Sequence, residues 1–372
     1  MSDAVLIPPA GGEVIGDAAD RRVEILSDDE TLHATWSRFA AGRDGADLHI
    51  HRQHTDMFYV LDGELTVRLG TEGETATVPT GTLARVPPLV VHGFRNASSA
   101  EMRYLNFHAP GRGFADYLRS IRDGAPISYD QHPPPDDGGR PTSDAVIGGA
   151  EAIVEDVDLL ADVEEVGIAE IRREPSGSPP PAHAHREHVE SFYVLEGELT
   201  FTVNGSEIHA GTGAWVQIPA GVVHTFALAG EGPVRYLDVH TPSCGFGAFV
   251  RALNRAQTDD ERAAARAVFD QVLAARCAAL VRAEVLDEIS LLPRGEPETE
   301  AAVVMVDNGI EGRKASVVPE AALAVRVRSR DRGRAQLRPA SPTCRAPCRS
   351  GPCPRRLSPV GLIVGGLRRN AM

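Results

Sequence analysis

Cysteine is scarce in this sequence, five in 372 residues. Cys244 and Cys277 stand alone and offer no disulfide framework, as expected of a reducing compartment. Cys344, Cys348 and Cys353 lie close together but lack a fourth ligand for a tetrahedral zinc site. Lysine is almost missing: Lys314 is one lysine among 38 basic residues, which reflects coding composition and excludes no chemistry. No stretch approaches the ~18 consecutive apolar residues of a membrane span. Met1 to Gly12 shows no basic start followed by an apolar run, so a secretory leader is not expected and the cytoplasm is the expected location. Positive charge is also short outside the C-terminal tail, since residues 1 to 312 hold 24 basic and 50 acidic residues. That balance repels nucleic acid and anionic membrane.

What the chain has is an internal repeat. HIHRQHTDMFYVLDG (His49 to Gly63) aligns with HAHREHVESFYVLEG (His183 to Gly197) at an offset of 134 residues, and GTLARVPPLVVH (Gly81 to His92) aligns with GAWVQIPAGVVH (Gly213 to His224) at 132. RYLNFHAP and RYLDVHTP, from Arg103 and Arg235, continue the match. Of 13 histidines, ten form five pairs at these offsets: His49 with His183, His51 with His185, His54 with His188, His92 with His224, and His108 with His240.

Short runs rich in Val, Tyr, Phe, Thr and Leu, separated by Gly, Pro, Asn and Asp, predict hairpin-linked antiparallel strands, with Asn204-Gly205 a tight-turn signal. A helical stretch follows each set, and Thr258 with Glu261 forms a capping box for a longer one. The expected organisation is a first domain over 1–126, a Pro/Gly-rich linker over 127–150, a second domain over 151–256, a helix over 257–290 and a basic low-complexity tail over 291–372 that is expected to be disordered. Within the linker, His132 is a residue that could lie over a pocket.

His183 and His185 are two apart, so on a strand both point to one face. Glu190 follows after room for a turn, and His224 arrives from a strand preceded by Pro219 and Gly221. Three imidazoles and a carboxylate suit Fe, Mn, Co, Ni or Zn, and leave positions open on an octahedral ion. The pattern resembles the cupin superfamily, whose motifs read G(x)5HxH(x)3-4E(x)6G and G(x)5PxG(x)2H(x)3N. His183, His185, Glu190 and Gly197 match the first; Gly213, Pro219, Gly221 and His224 match the second. In the first half His49, His51 and His92 match, Asp56 stands where Glu is usual, and Leu89 stands where the second motif has Gly. The resemblance implies an all-β fold of two tandem jelly-roll barrels with short flanking helices, up to one divalent metal ion per barrel, and metal ligands His49, His51, Asp56, His92, His183, His185, Glu190 and His224. Asp56, one methylene shorter than Glu, is expected to give the more open site. Asp56 and Glu190 are also candidates for acid–base roles.

Cupins of this kind include quercetinase-like dioxygenases, which use O2 on an enolic or phenolic (flavonol-like) substrate. They also include metal-dependent decarboxylases and isomerases, and bicupins that only bind a small molecule. The dioxygenase is the leading expectation, because Phe58-Tyr59 and Phe192-Tyr193 place an aromatic ring inward in each barrel and basic residues near the ligands are few. His54 and His188 are open between proton relay and exposed turn. A homodimer is expected from the resemblance alone.

Overall fold

The alternation of inward apolar and outward polar residues that marks the short runs builds antiparallel strands throughout residues 4–273. The computed structural model describes residues 4–154, 156–175, 179–273, 302–306 and 362–366. The first barrel sets a seven-stranded sheet, whose centre is Thr55–Asp62, Met102–Ala109, His33–Phe39 and Arg21–Asp28, against a three-stranded sheet of Glu74–Pro79, Glu64–Leu69 and His92–Arg95. The second repeats the plan with Val189–Glu196, Val234–Thr241, Val166–Arg173 and Val157–Val163 at the centre of its large sheet. Opposite them stands a five-stranded sheet that includes His183–His185, Glu198–Val203 and His224–Leu228.

The Phe-Tyr pairs show how the alternation divides the cores. Phe58 and Phe192 face the interiors of their own barrels. Tyr59 and Tyr193 point the other way, into a seam where the two large sheets pack together through Met57, Leu105, Phe107, Trp215, Leu237 and Val239. The Tyr59 hydroxyl donates across the seam to Glu170 at 2.7 Å.

Two of the expected boundaries need correction. Val5–Ile7 belongs to the second barrel, pairing with Trp215–Ile218, and Val146–Ile147, from the expected linker, pairs with Leu83–Val86 of the first. Leu83–Val86 and Trp215–Ile218 are equivalent in the repeat, and each would be an uncovered edge without its added strand. The linker is not a plain connection either, because Ile50 and His132 exchange backbone hydrogen bonds at 2.9 Å in both directions.

Each barrel is followed by a helix, α1 (Phe114–Arg122) and α2 (Phe246–Arg255). The capping box at Thr258 and Glu261 starts α3, Asp259–Val268. The helix expected over 257–290 is thus shorter at its described end, because Gln271–Leu273 instead pairs with His183–His185 and closes the second barrel. Ser2–Ala278 form one compact unit, and Ala279–Met372 with Met1 a second. Of the second unit, the described residues are Ala302–Val306 and Leu362–Gly366, paired antiparallel. These described residues fall within the tail expected to be disordered, at the apolar runs AVVMV and LIVGG. Cys277, Cys344, Cys348 and Cys353 lie outside the described residues.

Candidate metal centres

His183 and His185 lie on one short strand and His224 opens the strand paired to it, with His183 directly opposite His224. His49 and His92 are opposed in the same way in the first barrel. The turn before the last histidine is tied to the first strand: the Gly221 amide donates to His185 O at 2.6 Å, and the Leu89 amide to His51 O at 2.7 Å. Gly221 takes a φ of 80° there, and Leu89 is held at 70° in the same left-handed conformation. A side chain at such a φ costs roughly 1–2 kcal/mol, which is why glycine suits this position.

All eight sequence-predicted residues are buried and gather into two clusters, His49, His51, Asp56 and His92, and His183, His185, Glu190 and His224, with candidate donor atoms within 4.8 Å of one another in each. Each histidine donates its Nδ1 proton to a backbone carbonyl: His49 to Asp47, His51 to Asp130, His92 to Val90, His183 to Pro181, His185 to Asp270 and His224 to Val222. A carbonyl only accepts, so each Nδ1 carries a hydrogen and Nε2 is the ring nitrogen left to face the cluster. His49 Nε2 and His51 Nε2 lie 3.1 Å apart, lone pair against lone pair, an arrangement that a shared cation satisfies. Burial, then His92 and His51, push His49 down to about 3; burial outweighs Glu190 and takes His183 to about 3 as well. Both imidazoles are neutral at physiological pH, the state in which they bind metals. Burial alone would raise Asp56, but His108, His51 and His92 hold it well below the usual carboxylate range.

The carboxylates differ in reach. Glu190 Oε2 comes within 2.6 Å of His224 Nε2 and 2.9 Å of His185 Nε2, whereas Asp56 Oδ2 stays 3.3 Å from His92 Nε2 and 3.7 Å from His51 Nε2. The first cluster is the looser of the two.

His54 and His188 are buried, not exposed turn residues. His54 Nδ1 donates to Asp130 Oδ2 at 3.1 Å, and its Nε2 lies 2.9 Å from His108 Nδ1. His188 repeats this with Asp270 at 3.1 Å and His240 at 2.9 Å. Beyond that the halves diverge. Asn106 donates to Asp56 Oδ1 at 2.5 Å and Met57 O at 3.0 Å, so its own Oδ1 faces His108 Nε2, 3.0 Å away, and makes that nitrogen the donor. In the second barrel Asp238 takes the place of Asn106; burial and the nearby Glu190 hold its acid well above the usual range.

Sequence reasoning missed the segments that cover both clusters. Tyr129 and Asp130 lie over the first, with the Tyr129 hydroxyl 3.0 Å from both His54 Nε2 and His108 Nδ1. Phe269 and Asp270 lie over the second, where Phe269 meets the rings of His185, His188 and His240. The signal was available: Tyr129-Asp130-Gln131 and Phe269-Asp270-Gln271 repeat at an offset of 140 residues. The offset differs from 132 because α3 is inserted before the second copy.

Beside the first cluster lies a cavity of about 210 Å³. Polar Thr35 and Ser37 and aromatic Tyr104, Phe94 and Phe114 contribute to its wall. By register, Ala169 and Ile171 replace Thr35 and Ser37 in the second barrel. There they join an apolar cluster continuous with Phe246, Phe249 and Phe269.

Residues 35–108 and 170–240 each match the model of the cupin domain. The chain is 24% identical over 232 residues to quercetin 2,3-dioxygenase of Bacillus subtilis (strain 168), a match covering 50% of this chain and 66% of that protein, just under two thirds of its length. Among solved structures it is similar to protein Ylba from E. coli, at 15% identity and a TM-score of 0.47, covering 64% of this chain and 90% of that one. It is also similar to a variant of oxalate decarboxylase from Bacillus subtilis, at 15% identity and a TM-score of 0.44, covering 65% of this chain and 78% of that one.

Proposed function

This chain is a two-domain cupin, and on that premise we propose that it is a metal-dependent dioxygenase acting on a small aromatic or enolic substrate in the first barrel, with the second barrel holding a metal in a mainly structural role. The observation that carries this reading is the cavity beside the looser cluster: His49, His51 and Asp56 at one end, aromatic rings along the wall. The sequence similarity to a quercetin 2,3-dioxygenase supports the reaction class. The cavity, about 210 Å³, falls below the ~300–1,000 Å³ of drug-sized sites, so one ring or a short enolic chain fits better than a three-ring flavonol.

His49, His51, His92 and Asp56 would hold the ion, which supplies Lewis acidity toward an enolic oxygen and a route for electrons to dioxygen. Asn106 fixes Asp56 through Oδ1 and leaves Oδ2 facing His51 and His92. Phe94 and Phe114 exclude water from the wall. The Tyr129 hydroxyl, 3.0 Å from both His54 Nε2 and His108 Nδ1, and His108, which lines the cavity, offer a path for a proton released by an enolic substrate.

The test is oxygen uptake by the metal-loaded protein over a panel from single-ring enols to flavonols, with Ser37→Ile, which copies Ile171 into the first barrel, as the paired variant. Uptake that Ser37→Ile abolishes while metal content stays unchanged is expected. Uptake indifferent to Ser37→Ile refutes a first-barrel chamber, and no uptake across the panel refutes the dioxygenase.

A further inference from the structure

The cavity of the first barrel has two chemically different ends. At one are the metal-ligand candidates, with Asn106 beside Asp56. Along the ladder, Asn106 pairs with Thr35, Tyr104 with Ser37, and Met102 with Phe39, which in turn pairs with Arg21. Arg21 lines the same cavity, four residues along the strand from the Asn106 rung, or ~13 Å at the usual rise.

Arg21 is set apart by its lack of partners. Neighbouring Arg22 is held by Asp17 at 2.7 Å and Glu24 at 2.6 Å, and Asp20 pairs with Arg43 at 3.4 Å. Among the described residues no hydrogen bond or ion pair engages the Arg21 guanidinium, which lies 5.9 Å from the centre of the Phe39 ring. Phe39 packs with Phe94 and Tyr104, so the guanidinium sits at the edge of an aromatic wall. A planar cation with free donors at the end of an aromatic slot is suited to a carboxylate carried by a flat ring.

We propose that Arg21 anchors the substrate's carboxylate, so that the first barrel takes a single-ring aromatic or enolic acid with its chelating oxygens toward the histidines and its carboxylate toward Arg21. This rests on the first-barrel reading above and narrows it. An uncharged flavonol would leave Arg21 unused; oxalate is too short to reach from the ligand cluster to the guanidinium. The second barrel does not repeat these residues, since Arg173 replaces Phe39 and Ile171 replaces Ser37 in the register.

The experiment measures binding without turnover. 3,4-Dihydroxybenzoate, whose chelating oxygens lie opposite its carboxylate, and its uncharged amide, 3,4-dihydroxybenzamide, are titrated into the full chain loaded with zinc, a redox-silent ion. The same is done for Arg21→Met, which keeps an apolar stem over Phe39, and Arg21→Lys, which keeps the charge. The acid is expected to bind more tightly than the amide. Arg21→Met should weaken the acid by about 10- to 100-fold, the range for losing a charge-assisted contact, and leave the amide within about 2-fold; Arg21→Lys should recover part of the loss. Equal effects of Arg21→Met on both compounds, no effect on either, or no saturable binding of the acid overturns the anchor. Arg21-dependent binding without oxygen uptake on any substrate upholds the anchor and refutes the dioxygenase. Oxygen uptake indifferent to Arg21→Met does the reverse.

Discussion

Replacing Tyr129 by Phe removes one oxygen atom, and its effect follows from counting donors. Asn106 forces His108 to donate from Nε2, and Asp130 forces His54 to donate from Nδ1. His108 Nδ1 and His54 Nε2 are then both acceptors, yet they lie 2.9 Å apart. The Tyr129 hydroxyl, 3.0 Å from each, supplies the hydrogen between them. Burial, with Asp56 and Asp130 nearby, pushes its phenol far above the usual range, so it remains a donor. In the second barrel His240 Nδ1 can donate directly to His188 Nε2 at 2.9 Å, since Asp238 does not require a donor at Nε2. Phe269 serves there without a hydroxyl. Tyr129→Phe strands two buried acceptors, at about 1–3 kcal/mol for an unsatisfied group, so a loss of about 2 kcal/mol is expected in urea denaturation of the metal-free protein. Asn106→Asp alone should also destabilise, because it sets a second carboxyl beside Asp56. Combined, the two changes reproduce the second-barrel pair and should cost less than their sum. A Tyr129→Phe effect under about 0.3 kcal/mol, or strict additivity of the double variant, refutes this reasoning.

Leu89→Gly relieves a left-handed backbone at 70° and should raise stability by about 1 kcal/mol in the same denaturation assay. Asp130→Ala removes the acceptor for the Arg52 and Gln53 amides and His54; metal titration should show the first site weakened by about 10- to 100-fold and the second unchanged, with the converse for Asp270→Ala. His49 and His183, at about 3 in the fold against 6.5 unfolded, bind protons only after unfolding in that window. Metal-free stability should therefore be full above pH 6.5 and fall as pH drops toward 3, by about 1.4 kcal/mol per pH unit for each such histidine. A denaturation midpoint that is flat from pH 7 to 5 would contradict this.

The repeat made most of the fold and both ligand clusters legible, because a strand places residues two apart on one face and the offsets 134 and 132 align ligand with ligand. The boundaries failed where strands are exchanged: Val5–Ile7 and Val146–Ile147 are too short to carry an alternation of their own, and only the edge each covers explains its position. Tyr129 and Asp130 were hidden by their proline-rich surroundings, and Phe269 and Asp270 by an alanine-rich run that continued a helical pattern. Arg21 could not be found from sequence spacing, since it reaches the cavity through strand register, far from the histidines.

The central claim is two metal sites with chemistry in one of them. Metal content and oxygen uptake, measured together on the parent chain, His51→Ala and His185→Ala, test it most directly. The account predicts two equivalents of divalent metal in the parent and about one in each variant, with uptake abolished by His51→Ala and retained by His185→Ala. Uptake that survives His51→Ala and disappears with His185→Ala would place the chemistry in the second barrel and contradict the account.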